Sequence, residues 1–169
     1  MQEQIRQNSN QYLTLTIAEE RYAIPVTDIR EVLTVPSITK IPKMPDFMRG
    51  VFNLRGSVVP ILDLKRKFDL GDTEVTDETA VIVVELPYEE VPGQEELLHL
   101  GLFSDSVQKV VTIEPSEIEG APKIGTKVNT SFILGMGHIG ELFYMILNIS
   151  KILTSNDVNL VSRVQEEVK

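Results

Sequence analysis

The chain has 169 residues, 42% of them apolar and 24% charged, with 25 acidic against 16 basic side chains and a net charge of −9. That composition fits one water-soluble domain or two small subdomains, and it excludes collagen-like and mostly disordered classes. The absence of cysteine excludes disulfides, Cys-ligated zinc and thiol catalysis.

Residues 1–10 read as a flexible polar tail, since MQEQIRQNSN has no apolar stretch of the kind a signal peptide needs. Strand-like pieces follow. YLTLTI (12–17) and YAIPV (22–26) flank an AEER turn, and both are rich in the β-branched and aromatic residues that suit a pleated surface. Further strands are expected at 48–54, 58–62, 79–86, 97–103, 107–113, 132–139 and 142–149. Short strands separated by turn signals, without βαβ alternation, indicate barrels or sandwiches. Asp63 to Phe68 can make one helical turn. Residues 156–169 are expected to form a C-terminal helix capped by Ser155, with Val158, Val161, Val164 and Val168 on one face. Two acidic stretches, 69–78 and 87–96, read as loops; the second, with two Pro and four Glu, is expected to be a long solvated hairpin loop. The longest uninterrupted apolar run, Leu142 to Leu147, is far too short to span a bilayer as a helix.

Charge is segregated along the chain. Residues 21–68 carry nine basic and four acidic side chains, whereas 69–119 carry one Lys against fourteen acids. The overall acidity argues against nucleic-acid or anionic-membrane binding. The basic segment can still steer an acidic protein partner.

An internal repeat organises the domain. Residues 50–68, GVFNLRGSVVPILDLKRKF, align without gaps on 135–153, GMGHIGELFYMILNISKIL, at a shift of 85. YAIPVTDIREV (22–32) aligns on LGLFSDSVQKV (100–110) at a shift of 78. Each copy supplies a hairpin, a short strand, a second hairpin and a short helix. Two similar small β-barrels packed together are the parsimonious outcome, since each alone is small for independent stability.

Several catalytic motifs fail on inspection. GMGHIG (135–140) is a literal G-x-G-x-x-G, but ELFYMILNI after it is a strand and not the helix whose N-terminus would hold a pyrophosphate. Gly140-Glu141 reads better as a two-residue hairpin turn. His99 and His138 lie in strand candidates without a second metal ligand at useful spacing, so neither a metal nor a cofactor is expected. The acids sit in loops and not in the paired, part-buried arrangement that proton transfer requires.

The most specific signal runs from Ile29 to Phe68, IREVLTVPSITKIPKMPDFMRGVFNLRGSVVPILDLKRKF. The P-x-F-x-x-G-V-x-N-L-R-G-x-V-V-P-x-x-D-L pattern from Pro45 to Leu64, with I-R-E-V upstream, resembles the CheW family of coupling proteins in bacterial chemotaxis. The GLFSDSVQKV and FILGMGHIGELFYMILNISKIL segments look like the family's second half, so the resemblance covers about residues 11–155. It implies a mainly β fold of two SH3-like five-stranded barrel subdomains with short helices, in agreement with the repeat. It also implies a cytoplasmic, non-catalytic adaptor recruited to membrane-associated arrays. Its partners would be the hairpin tip of chemoreceptors, the regulatory domain of the histidine kinase CheA and other CheW-like domains in rings. The family's receptor groove maps onto Ile29, Glu31, Arg49, Gly50 and Arg55, with Glu31 the natural mate of Arg55, while Pro60 and Asp63 read as structural. The second copy departs from the first by having Gly140 opposite Arg55.

Overall fold

The computed structural model describes residues 10–120 and 129–167. The tail expected over residues 1–10 therefore lies, apart from Asn10, outside the described residues, as do Val168 and the side chain of Val164. The elements in order are β1 (Gln11–Ile17), β2 (Glu20–Pro25), β3 (Ile29–Thr34), β4 (Met48–Leu54), β5 (Ser57–Asp63) and the short helix α1 (Leu64–Lys67). There follow β6 (Ala80–Val91), β7 (Gln94–Ser104), β8 (Ser106–Thr112), β9 (Ile118–Glu119), β10 (Ile133–Ile139), β11 (Leu142–Leu147), α2 (Ile149–Ile152) and α3 (Ser155–Glu167). The fold is mainly β, as expected.

Two curved sheets result, one in the order β8-β1-β2-β11-β10-β9 and the other β3-β6-β7-β5-β4. The repeat is visible in their register. Ile61 faces Gly101 where β5 runs parallel to β7, and Ile146 faces Ala23 where β11 runs parallel to β2. Those four residues are the same two repeat positions taken twice. The repeat copy and the sheet are nevertheless different units. β1 and β2 stay in the first sheet while β3, β4 and β5 join the second, and β6 and β7 stay in the second while β8, β10 and β11 join the first. The halves exchange strands.

Alternation along the strands sorts side chains into three clusters. Between the sheets lie Leu15, Ile17, Tyr22, Ile24, Leu62, Ile82, Val84, Leu98, Leu100, Leu102 and Leu147, all essentially buried. Opposite faces of the same strands fill the barrel interiors, with Val59, Ile61, Val81, Val83 and Phe103 in one and Ala23, Ile113, Tyr144 and Ile146 in the other. A stacked series of rings, Tyr22, Phe68 and Phe132, at centroid separations of 5.8 and 5.7 Å, ties α1 to both halves. Burial of the Tyr22 phenol, with the Glu20 carboxylate beside it, holds its pKa well above the ordinary tyrosine value.

The structure corrects the sequence reading in three places. Residues 87–96 are not a loop but a two-stranded extension of β6 and β7, with Pro87 opposite Leu97, Tyr88 opposite Glu96 and Glu89 opposite Glu95. Tyr88 supplies the reason: its ring packs on the central core and its hydroxyl donates to Glu96 at 2.8 Å. Pro87 is tolerated because β3 pairs with β6 only as far as Val84, leaving that edge with no ladder bond to lose. The cap of α3 is Thr154, one residue before the expected Ser155. Its hydroxyl accepts from the Asp157 amide at 3.1 Å while the Asp157 carboxylate accepts from the Thr154 amide at 3.0 Å, a reciprocal capping pair. Finally, β3 and β9 are strands that hydrophobic patterning did not single out.

Candidate binding surface at the Arg55–Glu31 seam

The N-L-R-G sequence makes the β4–β5 hairpin turn. Leu54 pairs with Ser57, leaving Arg55 and Gly56 as its two central residues, both with positive φ (50° and 89°). This is the mirror-image turn whose twist matches the flanking strands. Gly adopts that conformation freely, but Arg in it stores strain of about 1 kcal/mol. The Asn53 side chain helps to fix the turn by accepting from the Gly56 amide at 2.9 Å.

The strained turn aims Arg55 across the molecule. β3 and β4 are the opposite edges of their sheet, yet the Arg55 guanidinium meets the Glu31 carboxylate through both terminal nitrogens, one of them at 3.4 Å. The contact spans the open seam of the curled sheet. Glu31 is largely covered, with 23% of its side chain exposed, whereas Arg55 is 63% exposed. A guanidinium held from below by a carboxylate presents its remaining donors outward in a fixed orientation.

The other expected groove residues are placed differently. Ile29 is half-buried at the start of β3, pairs with Val84 and packs on the central core. Arg49 turns toward Asp63, donating to its carboxylate at 3.1 Å and to the Thr73 carbonyl at 3.2 Å, with its guanidinium 5.1 Å from the Phe103 ring centroid. Gly50, at φ 141°, does allow a close backbone approach, but the approaching group is this chain's own Thr39. A Cβ at Gly50 would lie 2.3 Å from the Thr39 carbonyl oxygen. The structure thus brings Arg55 and Glu31 together and engages Arg49 and Gly50 with other parts of the same chain.

Asp63 is fully buried and is the polar hub of this half. Besides Arg49, it accepts from the amides of Lys65 and Arg66, which caps α1, and from the amide and hydroxyl of Thr73 at 2.8 and 2.6 Å. Its structural role matches the expectation, while Thr73, ten residues on, was not legible as a partner. Pro60 sits within β5, one residue before pairing with β7 begins at Ile61, where its missing N–H costs no ladder bond.

Three further residues meet close by. β3 carries a bulge at Arg30, since Ile29 pairs with Val84 and Glu31 with Val83. The bulge re-aims the Arg30 side chain onto His99, whose Nε2 lies 3.1 Å from Arg30 Nη1 and 3.2 Å from Glu85 Oε1. Among the described residues no group of three or more His, Asp or Glu side chains is arranged to hold a metal, and no helix is long and apolar enough to cross a membrane.

Two SH3-like barrels packed together, with their distinctive side chains on an outer seam, define the fold class. The chain belongs to the CheW-like domain family, whose model matches residues 11–157. It is 32% identical over 154 residues to the chemotaxis protein CheW of Klebsiella aerogenes, covering 91% of this chain and 87% of that one. To the chemotaxis protein CheW of Treponema pallidum it is 26% identical over 156 residues, covering 91% and 88%. Among solved structures it resembles the scaffolding protein TtCheW from Thermoanaerobacter tengcongensis, with a TM-score of 0.73, 31% identity and coverage of 88% and 90% of the two chains.

Proposed function

We propose that this protein is a cytoplasmic, non-catalytic adaptor that couples transmembrane chemoreceptors to the histidine kinase CheA and is recruited to receptor arrays at the membrane. The observation that carries the receptor contact is the outward-facing Arg55 guanidinium, oriented by Glu31 from a strained turn. A long side chain ordered before binding loses less entropy on association. The receptor hairpin lies along Ile29, Glu31 and Arg55, with Arg49 and Gly50 on β4, across the seam from β3, setting the shape of the groove wall. Pairing with the CheW-like regulatory domain of the kinase, and with other such domains in rings, draws support from exposed apolar side chains on the second-copy barrel. Leu134, Leu142 and Phe143 are about half exposed there, as is Val110 on β8. Such a patch should bind with weak dependence on salt.

Binding of a receptor cytoplasmic fragment, measured for Glu31→Ala, Arg55→Ala and the double variant, tests the receptor assignment. Arg55→Ala weakens binding by about 1–3 kcal/mol, Arg55→Lys restores part of it, and the double-mutant cycle is non-additive. Strict additivity, or a loss of fold stability as large as the loss of binding, removes the assignment. Capture of the kinase regulatory domain that vanishes between low and moderate ionic strength removes the apolar interface.

A further inference from the structure

The interior of the β3-β6-β7-β5-β4 barrel is apolar up to Val59 and Val83 and then ends in charge. Glu85 and His99 continue the inward-facing series of β6 and β7 that begins with Val83 and Gly101, so they stand at the barrel mouth. Arg30 reaches the same place from the β3 bulge, and Arg55 from the hairpin turn. Together with Leu54, Ser57 and Val59, three of them (Arg30, Arg55 and His99) line a cavity of about 70 Å³, room for a group the size of a carboxylate or a tetrahedral oxyanion.

One nitrogen at this mouth has two partners with opposite requirements. Arg30 can only donate and therefore needs a lone pair on His99 Nε2, whereas Glu85 can only accept and needs a proton there. A neutral imidazole protonated on Nδ1 serves Arg30. An imidazolium has protons on both nitrogens, so it turns to Glu85 and repels Arg30. Among the charges at the mouth are Arg30, Arg55, Glu31 and Glu85, with Arg30 also 3.8 Å from Glu85. Protonation of His99 adds a positive charge beside Arg30.

We propose that the mouth of this barrel binds a small oxyanion, a carboxylate or a phosphate-like group, between Arg30 and Arg55, and that proton uptake by His99 opens the site by releasing Arg30 from the ring. Linkage dictates reciprocity: an anion that prefers the protonated state draws a proton onto His99 when it binds. The carboxylate would come from an acidic side chain of a protein partner, the phosphate-like group from a free ion. The site shares Arg55 with the receptor assignment above but takes Arg30, His99 and Glu85 besides, so Arg30→Gln and His99→Gln test it apart from receptor binding.

The test is a titration of the full chain, isotopically labelled, with sodium sulfate and separately with sodium acetate, at pH 6 and pH 8 and constant ionic strength. His99 ring resonances and the Arg30 side-chain signals are read by nuclear magnetic resonance. Sulfate keeps its charge over this range, so any pH dependence belongs to the protein. The expected result is saturable movement of His99 and Arg30 signals, an upward displacement of the His99 titration midpoint in the presence of anion, and affinity that rises as pH falls, by at most about tenfold per pH unit for uptake of one proton. Acetate as effective as sulfate identifies a partner carboxylate as the natural occupant; response to sulfate alone identifies a free tetrahedral anion. Arg30→Gln should abolish saturable binding, and His99→Gln should remove its pH dependence while the chain stays folded by circular dichroism. Anion-independent His99 titration, or pH dependence that survives His99→Gln, overturns the proposal.

Discussion

The two barrels are built on one plan and finished differently. In both, a bulged glycine strand lies against a passing backbone: a Cβ at Gly50 would meet the Thr39 carbonyl oxygen and Ile38 Cγ2, and one at Gly135 the Glu119 carbonyl oxygen and Ile118 Cγ2. In both, the residue ending the second hairpin bonds back to a ring residue at the same repeat position, Asp63 to Phe47 and Asn148 to Phe132. The mouths differ. Where one barrel gathers Arg30, Glu85 and His99, the other has Gln108, Thr16 and Arg21 at the equivalent positions, and a neutral chain of bonds in which Ser106 Oγ lies 2.6 Å from Thr16 Oγ1 and accepts from Gln108 at 2.9 Å. Where one hairpin tip carries Arg55, the other carries Gly140 with exposed Leu142 and Phe143 beside it. Shared backbone devices define the fold, and the residues that differ between copies give each barrel its own surface: charged and oriented on one, apolar on the other.

The largest asymmetry under that plan is at the helix caps. Asp63→Ala removes a buried acceptor of five hydrogen bonds and strands Arg49, so it should cost about 3–5 kcal/mol in urea unfolding. Asn148→Ala, its repeat partner, loses among the described residues a contact to the exposed Ser150 hydroxyl and should cost under about 1 kcal/mol. Equal losses would mean that the hub in the first half adds nothing beyond a cap.

The glycine pair should behave more alike. Gly50→Ala meets both a backbone carbonyl and a left-handed φ, for about 3 kcal/mol; Gly135→Ala meets the carbonyl at 2.5 Å with an ordinary backbone, for about 2 kcal/mol. Thermal midpoints of the two variants measure how far the second barrel tolerates what the first does not.

These partners explain what the sequence revealed and what it withheld. Strand runs such as TAVIVVEL and LFYMILNI were legible as unbroken apolar stretches, the first buried almost throughout and the second from Tyr144 to Leu147, and the repeat emerged because turn glycines recur with the hydrophobes. β3 was hidden because its alternation is inverted: Glu31 points inward beside Leu33 while Val32 faces solvent. The 87–96 ribbon was hidden because two Pro and four Glu mask a single anchoring tyrosine. Arg55 and Glu31 could be paired in advance through the family resemblance, and both lie in one short stretch of chain. His99 could not be joined to Arg30, 69 residues away, because only the bulge brings them together. Arg49 read as a surface residue for a similar reason, its partner Thr73 lying in an acidic segment with no patterning of its own.

The C-terminal helix offers a smaller, pH-dependent contrast, since α3 is fastened to the first-half helix α1. Lys67 Nζ lies 3.0 Å from the Asp157 carboxylate and 4.2 Å from the Phe47 ring centroid. Burial alone would raise the Asp157 pKa, but the Thr154 amide and hydroxyl and the Lys67 ammonium outweigh it and hold the carboxyl below its ordinary value. A pKa lower in the folded than in the unfolded chain gives stability that is complete above the ordinary aspartate value, about 3.9, and fades as pH falls through the folded one. Acidification from about pH 5 to pH 3 should therefore loosen α3 before the sheets, with amide exchange rising first around Val158 and Val161. Asp157→Asn should remove that early step and cost about 1–2 kcal/mol at neutral pH.

Least affected in stability should be the seam. Arg55→Ala breaks an exposed ion pair but relieves little of the turn strain, since Ala at φ 50° is no better placed, and the thermal midpoint should move by the equivalent of about 0–1 kcal/mol. Arg55→Gly should be as stable as the wild type or slightly more so, because glycine accepts that conformation freely.

Strand exchange has a consequence for how the chain comes to be folded at all. The partner that covers β1 is β8, which pairs Gln11 with Thr112, and the hairpin formed by β10 and β11 is laid against β2. During synthesis the first hairpin must wait, both flanks bare, until more than half the polypeptide has been made. The second sheet, by contrast, draws on a single contiguous stretch, from Ile29 to Ser104. Assembly should thus run inside out, with the middle of the chain maturing first and the two ends closing around it, and a nascent chain stalled before Ser106 should expose a sticky, ladder-competent edge at β1.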